Sequence, residues 1–356
     1  MSAFATVPEQ REAKRLLTAA LAEGPAHAYL FHGPAGVGKR AAALAFAAEL
    51  LGDERRVLDR THPDLYVVEA LGEFIRIDDV RALHHDLHMR PYEGDRRVYL
   101  VLDAHRLNDD AADALLKDLE EPPSYATIAL VADELGSLPE TIHSRCQLVP
   151  FGRLSETAVR DWLAQRAPAL TDRQTTAFAR VAGGRLDRAA RLLDPEAGQR
   201  RDVLIEAARN VYLDAEFEPA DAAEAIIAGA AQRGAAAKEL EQQSLEDRDL
   251  PAREAEQRLR RVQRGAEREE LLASLEELAA WYRDLVVVSA GADGAVLHAD
   301  RLDDLRGDAA RGVGEGADRA AELCRETWRA AEEFNVNASL ALEAHFVQLC
   351  SELAAG

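Results

Sequence analysis

Long apolar runs are missing. No stretch of 18 or more apolar residues occurs, so a membrane-spanning helix is not expected. The first residues, MSAFATVPEQREAKRLL, lack the apolar centre of a secretory signal, and a cytoplasmic protein is expected. Cysteine is scarce: Cys146, Cys324 and Cys350 are far apart and odd in number, which excludes a disulfide scaffold and fits a reducing compartment. Aromatic residues make up only 5% of the chain. Lysine occurs four times, at Lys14, Lys39, Lys117 and Lys238, while arginine carries the remaining basic charge. A lysine in a chosen place therefore says more than an arginine does. Positive charge is in deficit overall, with 43 basic against 64 acidic residues and a net charge of −21. Such a chain cannot coat nucleic acid over its whole surface; any contact must be local or made through partners.

What is present is an ordinary globular composition, 47% hydrophobic and 30% charged over 356 residues, enough for two or three domains. Short apolar runs at Ala28–Phe31, Leu65–Val68, Val98–Leu102 and Ile128–Val131, with a fifth at Cys146–Phe151, read as strands. Between them, Lys39–Leu51, Ile77–His88 and Ala111–Leu119 have helical character, and Glu9–Glu23 precedes the first strand. Alternating strands and helices predict an α/β layer with a parallel sheet, residues 1–152. A small helical domain over 153–198 and an all-α domain over 199–356 are expected to follow. Within the latter, Arg233–Glu270 is dense in both charges and reads as a solvated helix or arm. Leu271–Ala290 and Asn335–Ala354 read as amphipathic helices, and Gly291–Gly316 as loop-like with one short helix.

One motif carries chemistry. Gly33-Pro34-Ala35-Gly36-Val37-Gly38-Lys39-Arg40 matches the phosphate loop G-x-x-x-x-G-K up to its final position. Glycines let successive backbone N–H groups turn towards phosphate oxygens, the following helix adds its positive end, and lysine reaches the terminal phosphates. The loop lies between a predicted strand and a predicted helix, as that chemistry requires, and it admits ATP or ADP. The metal-handling parts are damaged. Arg40 stands where a Ser or Thr hydroxyl would ligate magnesium. The strand Val98–Leu102 ends on a lone carboxylate, Asp103, rather than a pair. Magnesium binding is therefore expected to be weak or absent, and hydrolysis by this chain inefficient.

Two further segments, Ala111-Ala-Asp-Ala-Leu-Leu-Lys-Asp-Leu-Glu-Glu-Pro-Pro123 and Leu138-Pro-Glu-Thr-Ile-His-Ser-Arg-Cys-Gln147, together with His27–Lys39, give the chain a specific resemblance. It resembles the bacterial clamp-loader branch of the AAA+ ATPases, most closely the delta-prime subunits of DNA polymerase III. The resemblance covers about the first 150 residues well; beyond them only pattern is similar, as at Trp281–Asp284 and Asn335–Leu340. It implies an AAA+ domain, a helical lid and a helical collar in a hetero-oligomeric ring. The implied partners are motor subunits, a delta-like subunit, the sliding clamp and primed DNA through the complex. It further implies a non-motor subunit whose Ser-Arg-Cys arginine, Arg145, reaches a neighbour's ATP. The alternative for Arg145 is a structural ion pair. Gly184-Arg-Leu-Asp-Arg188-Ala189 resembles the segment that carries a second phosphate-sensing arginine, with Arg188 the candidate and a solvated helix arginine the alternative.

The departures from that family are informative. Motor subunits carry Thr or Asn where this chain has Ala132-Asp133. A four-cysteine zinc site is common in the family, yet Leu51–Pro63 holds no cysteine, so no zinc is expected. His84 and His88 share a helix face at a spacing that can hold metal, but an exposed polar face is the expectation. Cys146 is expected to pack as a small hydrophobe. Two other functions remain open: an active gamma/tau-like motor ATPase, favoured by Lys39, and an unrelated P-loop enzyme, for which no acceptor pocket is legible.

Overall fold

A computed structural model describes residues 4–70, 72, 74–133, 135–136, 138–245, 251–333 and 337–353. The chain divides into two compact units, Met1–Trp162 with Gly184–Asp187, and Leu163–Gly183 with Arg188–Gly356.

The first unit is built on five strands: β1 (Ala28–His32), β2 (Leu65–Val68), β3 (Arg97–Val101), β4 (Ala126–Ala132) and β5 (Gln147–Pro150). They form one parallel sheet in the order β2-β3-β4-β1-β5. Its helices are α1 (Arg11–Glu23), α2 (Lys39–Leu51), α3 (Glu54–Leu58), α4 (Ile77–Leu87), α5 (Asp109–Glu120) and α6 (Glu140–His143). Strand residues alternate between two cores, as the pleat demands. Leu30, Tyr99, Val101, Ile128 and Leu130 point to a core shared with Val80, Leu83 and Leu87 of α4 and Leu115 and Leu119 of α5. Tyr29, Phe31, Val98, Leu100, Ala129 and Val131 point to a core shared with Leu17 of α1 and Ala43 and Phe46 of α2. Both faces are covered, which is why β1, β3 and β4 read as unbroken apolar runs. Each fully buried Leu or Phe contributes about 1.5–3 kcal/mol.

Helices α7 (Glu156–Arg166) and α9 (Leu186–Leu193) each run from the first unit into the second, and α8 (Asp172–Ala182) lies in the second. The rest of that unit comprises α10 (Pro195–Leu213), α11 (Pro219–Leu245), α12 (Ala252–Ser289), α13 (Leu302–Ala309), α14 (Gly314–Glu333) and α15 (Ala338–Leu353). Leu275, Leu278, Trp281, Tyr282 and Leu285 of α12 form its core with Ile205, Ile226, Cys324, Leu342, Phe346 and Leu349. A buried ionic cluster stands beside this core. Arg201 joins Glu277 at 2.5 Å and Asp300 at 2.7 Å, and His298 joins Asp284 at 2.9 Å.

The expected α/β layer followed by an all-α region is what the structure contains. Three local features differ from expectation. The helix expected from Leu271 begins at Ala252, because the charged run is itself helical and continuous with it. The short helices α3 and α6 carry no periodic signal; α3 is started by the Asp53 carboxylate, which accepts from the Arg56 N–H at 3.0 Å. Part of the expected loop, from Gly314, belongs to α14. Asn335, Val336 and Ala354, expected at the ends of the last helix, lie outside the described residues, as do residues 246–250 of the charged run.

Candidate functional site

The site forms where the sheet order reverses direction, at the carboxyl end of β1 between β4 and β5. Register fixes its members. His32 pairs with Ala132 of β4 and with Pro150 of β5. Gly33 therefore emerges between Asp133 and Phe151. Its φ is +136°, and a Cβ there would lie 2.1 Å from the Phe151 carbonyl oxygen, so the position demands glycine. Gly36, at φ +70°, lies against Asp187, where a Cβ would come within 1.8 Å of Oδ1. The Gly36 carbonyl accepts from the Leu186 N–H at 2.7 Å. The loop Gly33–Gly38 is thus fastened from β5 and from the 184–187 segment. Gln10 fastens it from a third side: its Nε2 donates to Val37 O at 3.3 Å and Gly152 O at 2.8 Å, and its Oε1 accepts from Gly152 N–H at 3.0 Å.

Lys39 opens α2 at the end of this loop and is only 4% exposed. Its ammonium has three protons. They meet Gly33 O at 2.6 Å, Pro34 O at 2.5 Å and Asp133 Oδ1 at 2.8 Å. All three donors are engaged by the protein itself. Burial lowers the Lys39 pKa, and the Asp133 carboxylate opposes that effect. Arg40, next in sequence, pairs with Asp103, which lies two residues past β3 in a left-handed conformation at φ +59°. The two cations of the loop therefore face two strand-end carboxylates. Asp133 is steadied in turn by His105, whose Nδ1 accepts the Asp133 N–H at 3.3 Å. Burial depresses the His105 pKa and keeps the ring neutral near pH 7.

Against a nucleoside triphosphate with magnesium, this donor set does not fit. The lysine has no proton left to offer, the arginine beside it is neutralised, and no hydroxyl follows the lysine to ligate the metal. A phosphate would have to displace the Asp133 carboxylate first.

Pro34, Ala35, Val37 and Gly38 complete the loop as expected, with Gly38 at φ +98° preceding α2. Arg145 stands apart from it. It follows α6 and precedes β5, which is an edge strand. Its guanidinium donates to Thr141 O at 2.8 Å and pairs with Glu120, and its side chain is 32% exposed. Arg188 belongs to the second unit, where it pairs with Glu276 at 2.6 Å. Sequence reasoning did not find Gln10 or Asp187. It found Asp133 only as a departure from Thr or Asn, whereas the structure makes it the partner of Lys39. Its legible signal is an acidic residue directly after the apolar run that pairs with the loop-bearing strand.

His84 Nδ1 lies 2.6 Å from Asp118 Oδ1 and its ring meets that of His88 edge-on at 4.8 Å. Among the described residues, no three His, Cys, Asp or Glu side chains converge as metal ligands. Cys146 is half-buried against the α4–α5 core, and burial pushes its thiol up to about 12. Among the described residues, no helix is long and apolar enough to cross a membrane.

The chain is similar to known proteins. Residues 9–155 match the family described as DNA polymerase III, delta subunit. The chain is 37% identical over 158 residues to DNA polymerase III subunit delta' of Pseudomonas aeruginosa, covering 40% of this chain and 48% of that protein. It is 30% identical over 166 residues to DNA polymerase III subunit tau of Bacillus subtilis, covering 43% and 29%. A solved Thermotoga maritima protein, a DNA polymerase III gamma subunit-related protein, is 17% identical, covers 96% of this chain and 99% of that one, and superposes with a TM-score of 0.44. The chain spans about half the length of the delta' relative and under a third of the tau relative.

Proposed function

We propose that this chain, a DNA polymerase III delta-prime-like protein over residues 9–155, is a non-motor subunit of a clamp loader. Residues 1–152 act as its AAA+ domain, 153–198 as a lid and 199–356 as a collar. It assembles with motor subunits and a delta-like subunit, and reaches the sliding clamp and primed DNA through that hetero-oligomer. The observation that carries the reading is Lys39, whose three N–H donors are all engaged by Gly33, Pro34 and Asp133. A loop closed on itself in this way serves as a fixed wall, with its turnover site given up.

Arg145 is the residue that acts. It sits at an exposed edge, carries a charge that persists at any working pH, and offers a planar fork to phosphate oxygens. Its pair with Glu120 is half-exposed, and such pairs contribute about 0–1 kcal/mol, so release towards a partner costs little. Supplied in trans, an arginine neutralises charge on a transferring phosphoryl group, with effects of roughly 10³–10⁵ on rate. Arg188 contributes as a lid arginine in the same assembly.

The second reading is a gamma/tau-like motor. The retained Lys39 and the similarity to a tau subunit favour it, while Arg40 paired with Asp103 opposes it. Co-expression with motor and delta-like subunits of the same organism tests the assembly. A ring with one copy of this chain, weighed by mass photometry, is expected. A chain that stays monomeric beside an assembled motor ring would contradict the proposal, and several copies per ring would favour the motor.

A further inference from the structure

Helix α12 changes character along one face. At 38 residues it is about 57 Å long. Leu271, Leu275, Leu278 and Tyr282, spaced by four, three and four, are buried in the core of the second unit. The same spacing continued towards the start of the helix gives Arg268, Arg264, Arg260 and Arg261, Gln257 and Arg253. One stripe is therefore apolar over the core and arginine beyond it.

Helix α11 covers the opposite face. There Ala255, Leu259, Val262 and Ala266 are half-buried at helical spacing, and Arg258 is paired with Glu241 of α11. Gly234 of α11 lies so close that a Cβ would meet Glu267 Cγ at 2.4 Å. The arginine face is left outward: Arg253, Gln257, Arg260 and Arg264 are exposed. Arg260 pairs with the exposed Glu256, four residues earlier on its own helix. Among the described residues, no carboxylate pairs with Arg253, Arg261 or Arg264. In the second unit Arg173, Arg233 and Arg311 likewise have no carboxylate partner among the described residues, but on α12 such arginines recur along one helix. Arg191, Arg200, Arg201, Arg209 and Arg301 of the same unit are all paired.

We infer that this face of α12 is a docking surface for the phosphate backbone of nucleic acid. Its chemistry selects that occupant over an acidic protein. A protein partner needs buried apolar or aromatic anchors, and this stripe offers none between Arg253 and Arg264. Arginine and glutamine are side chains that donate to phosphate oxygens without reading bases. From Arg253 to Arg264 the helix rises about 16 Å, the length of roughly five base pairs. Binding is sequence-independent and steeply salt-dependent, and it is local, since the remainder of the chain repels the same ligand. The inference stands on this ridge alone and does not need the clamp-loader reading.

Fluorescence anisotropy with a labelled 30-base-pair duplex and the full chain, from 20 to 150 mM KCl, tests it. The triple variant Arg253→Ala/Arg260→Ala/Arg264→Ala changes exposed residues and is expected to keep the wild-type Tm. It is predicted to bind at least about tenfold more weakly at 20 mM salt and to lower the slope of log Kd against log salt by up to about 3. The corresponding triple lysine variant is expected to restore most of the affinity. Absence of wild-type binding at 20 mM salt, or a triple alanine variant that binds as well as wild type, would overturn the inference. Tighter binding to poly-glutamate than to the duplex at equal ionic strength would overturn it too, assigning the ridge to acidic protein.

Discussion

The Lys39 ammonium pairs with the carboxylate of Asp133. Asp133 takes the third proton of Lys39, and its place is set by the register that pairs β4 with β1. Asp133→Asn keeps the shape and an acceptor oxygen but removes the charge, so a phosphate no longer competes with a carboxylate for the ammonium. Isothermal titration with ADP is predicted to give at least about tenfold tighter binding for this variant, about 1.4 kcal/mol. Equal affinities for variant and wild type would show that Asp133 does not close the site. The glycines and Lys39 were legible in the sequence because their signal is local, a fixed spacing between one strand and one helix, whereas Arg145 was singled out only by the family resemblance. The partner of Lys39 was not, because β4 is remote in the chain and only the folded sheet sets it beside the loop. Gln10 is still less visible, since its role depends on a left-handed backbone at φ +49° that no local pattern announces.

At the scale of elements, the strands and long helices were readable because burial on two faces leaves unbroken apolar runs and burial on one face leaves a 3.6-residue period. Helices of one turn, such as α3 and α6, have no period to read and are set by caps and tertiary context. The charged half of α12 has few apolar residues, so it was expected as a solvated helix or arm, and its face became visible once α11 lay behind it. The junction of β1, the loop and β5 makes a sharp prediction. Gly33→Ala places a methyl group against the Phe151 carbonyl at a positive φ. Chemical denaturation is expected to show a loss of more than about 2 kcal/mol. A loss below about 0.5 kcal/mol would mean that β5 and the loop are not held in this contact.

Two properties belong to the folded molecule as a whole. The first is acid lability. His345 of α15 is buried between Cys324 and Thr327, with its Nδ1 3.0 Å from Thr327 Oγ1, and burial lowers its pKa to about 4. The unfolded chain binds this proton near pH 6.5, so stability from the neutral ring is complete above that pH and is lost as pH falls through about 4. His345→Gln is predicted to flatten the dependence of stability on pH between 6.5 and 4, even if it lowers stability at pH 7. An unchanged pH profile would assign the acid limb to other groups. The second is assembly. Leu340 and Val347 stand 64% and 53% exposed on one face of α15, with Ala344 exposed between them. If the collar joins subunits through this face, Leu340→Glu/Val347→Glu abolishes ring formation at an unchanged Tm; rings of normal mass from this variant would exclude the face.

The central claim is that this chain acts through Arg145 on a neighbour and not through its own Lys39. DNA-stimulated ATP turnover by the reconstituted ring, compared for wild type, Arg145→Ala and Lys39→Ala, tests it most directly. The account predicts at least about a tenfold fall for Arg145→Ala and turnover near wild type for Lys39→Ala, with both rings assembled. Full turnover with Arg145→Ala, together with a fall for Lys39→Ala, would contradict it and make the chain a motor.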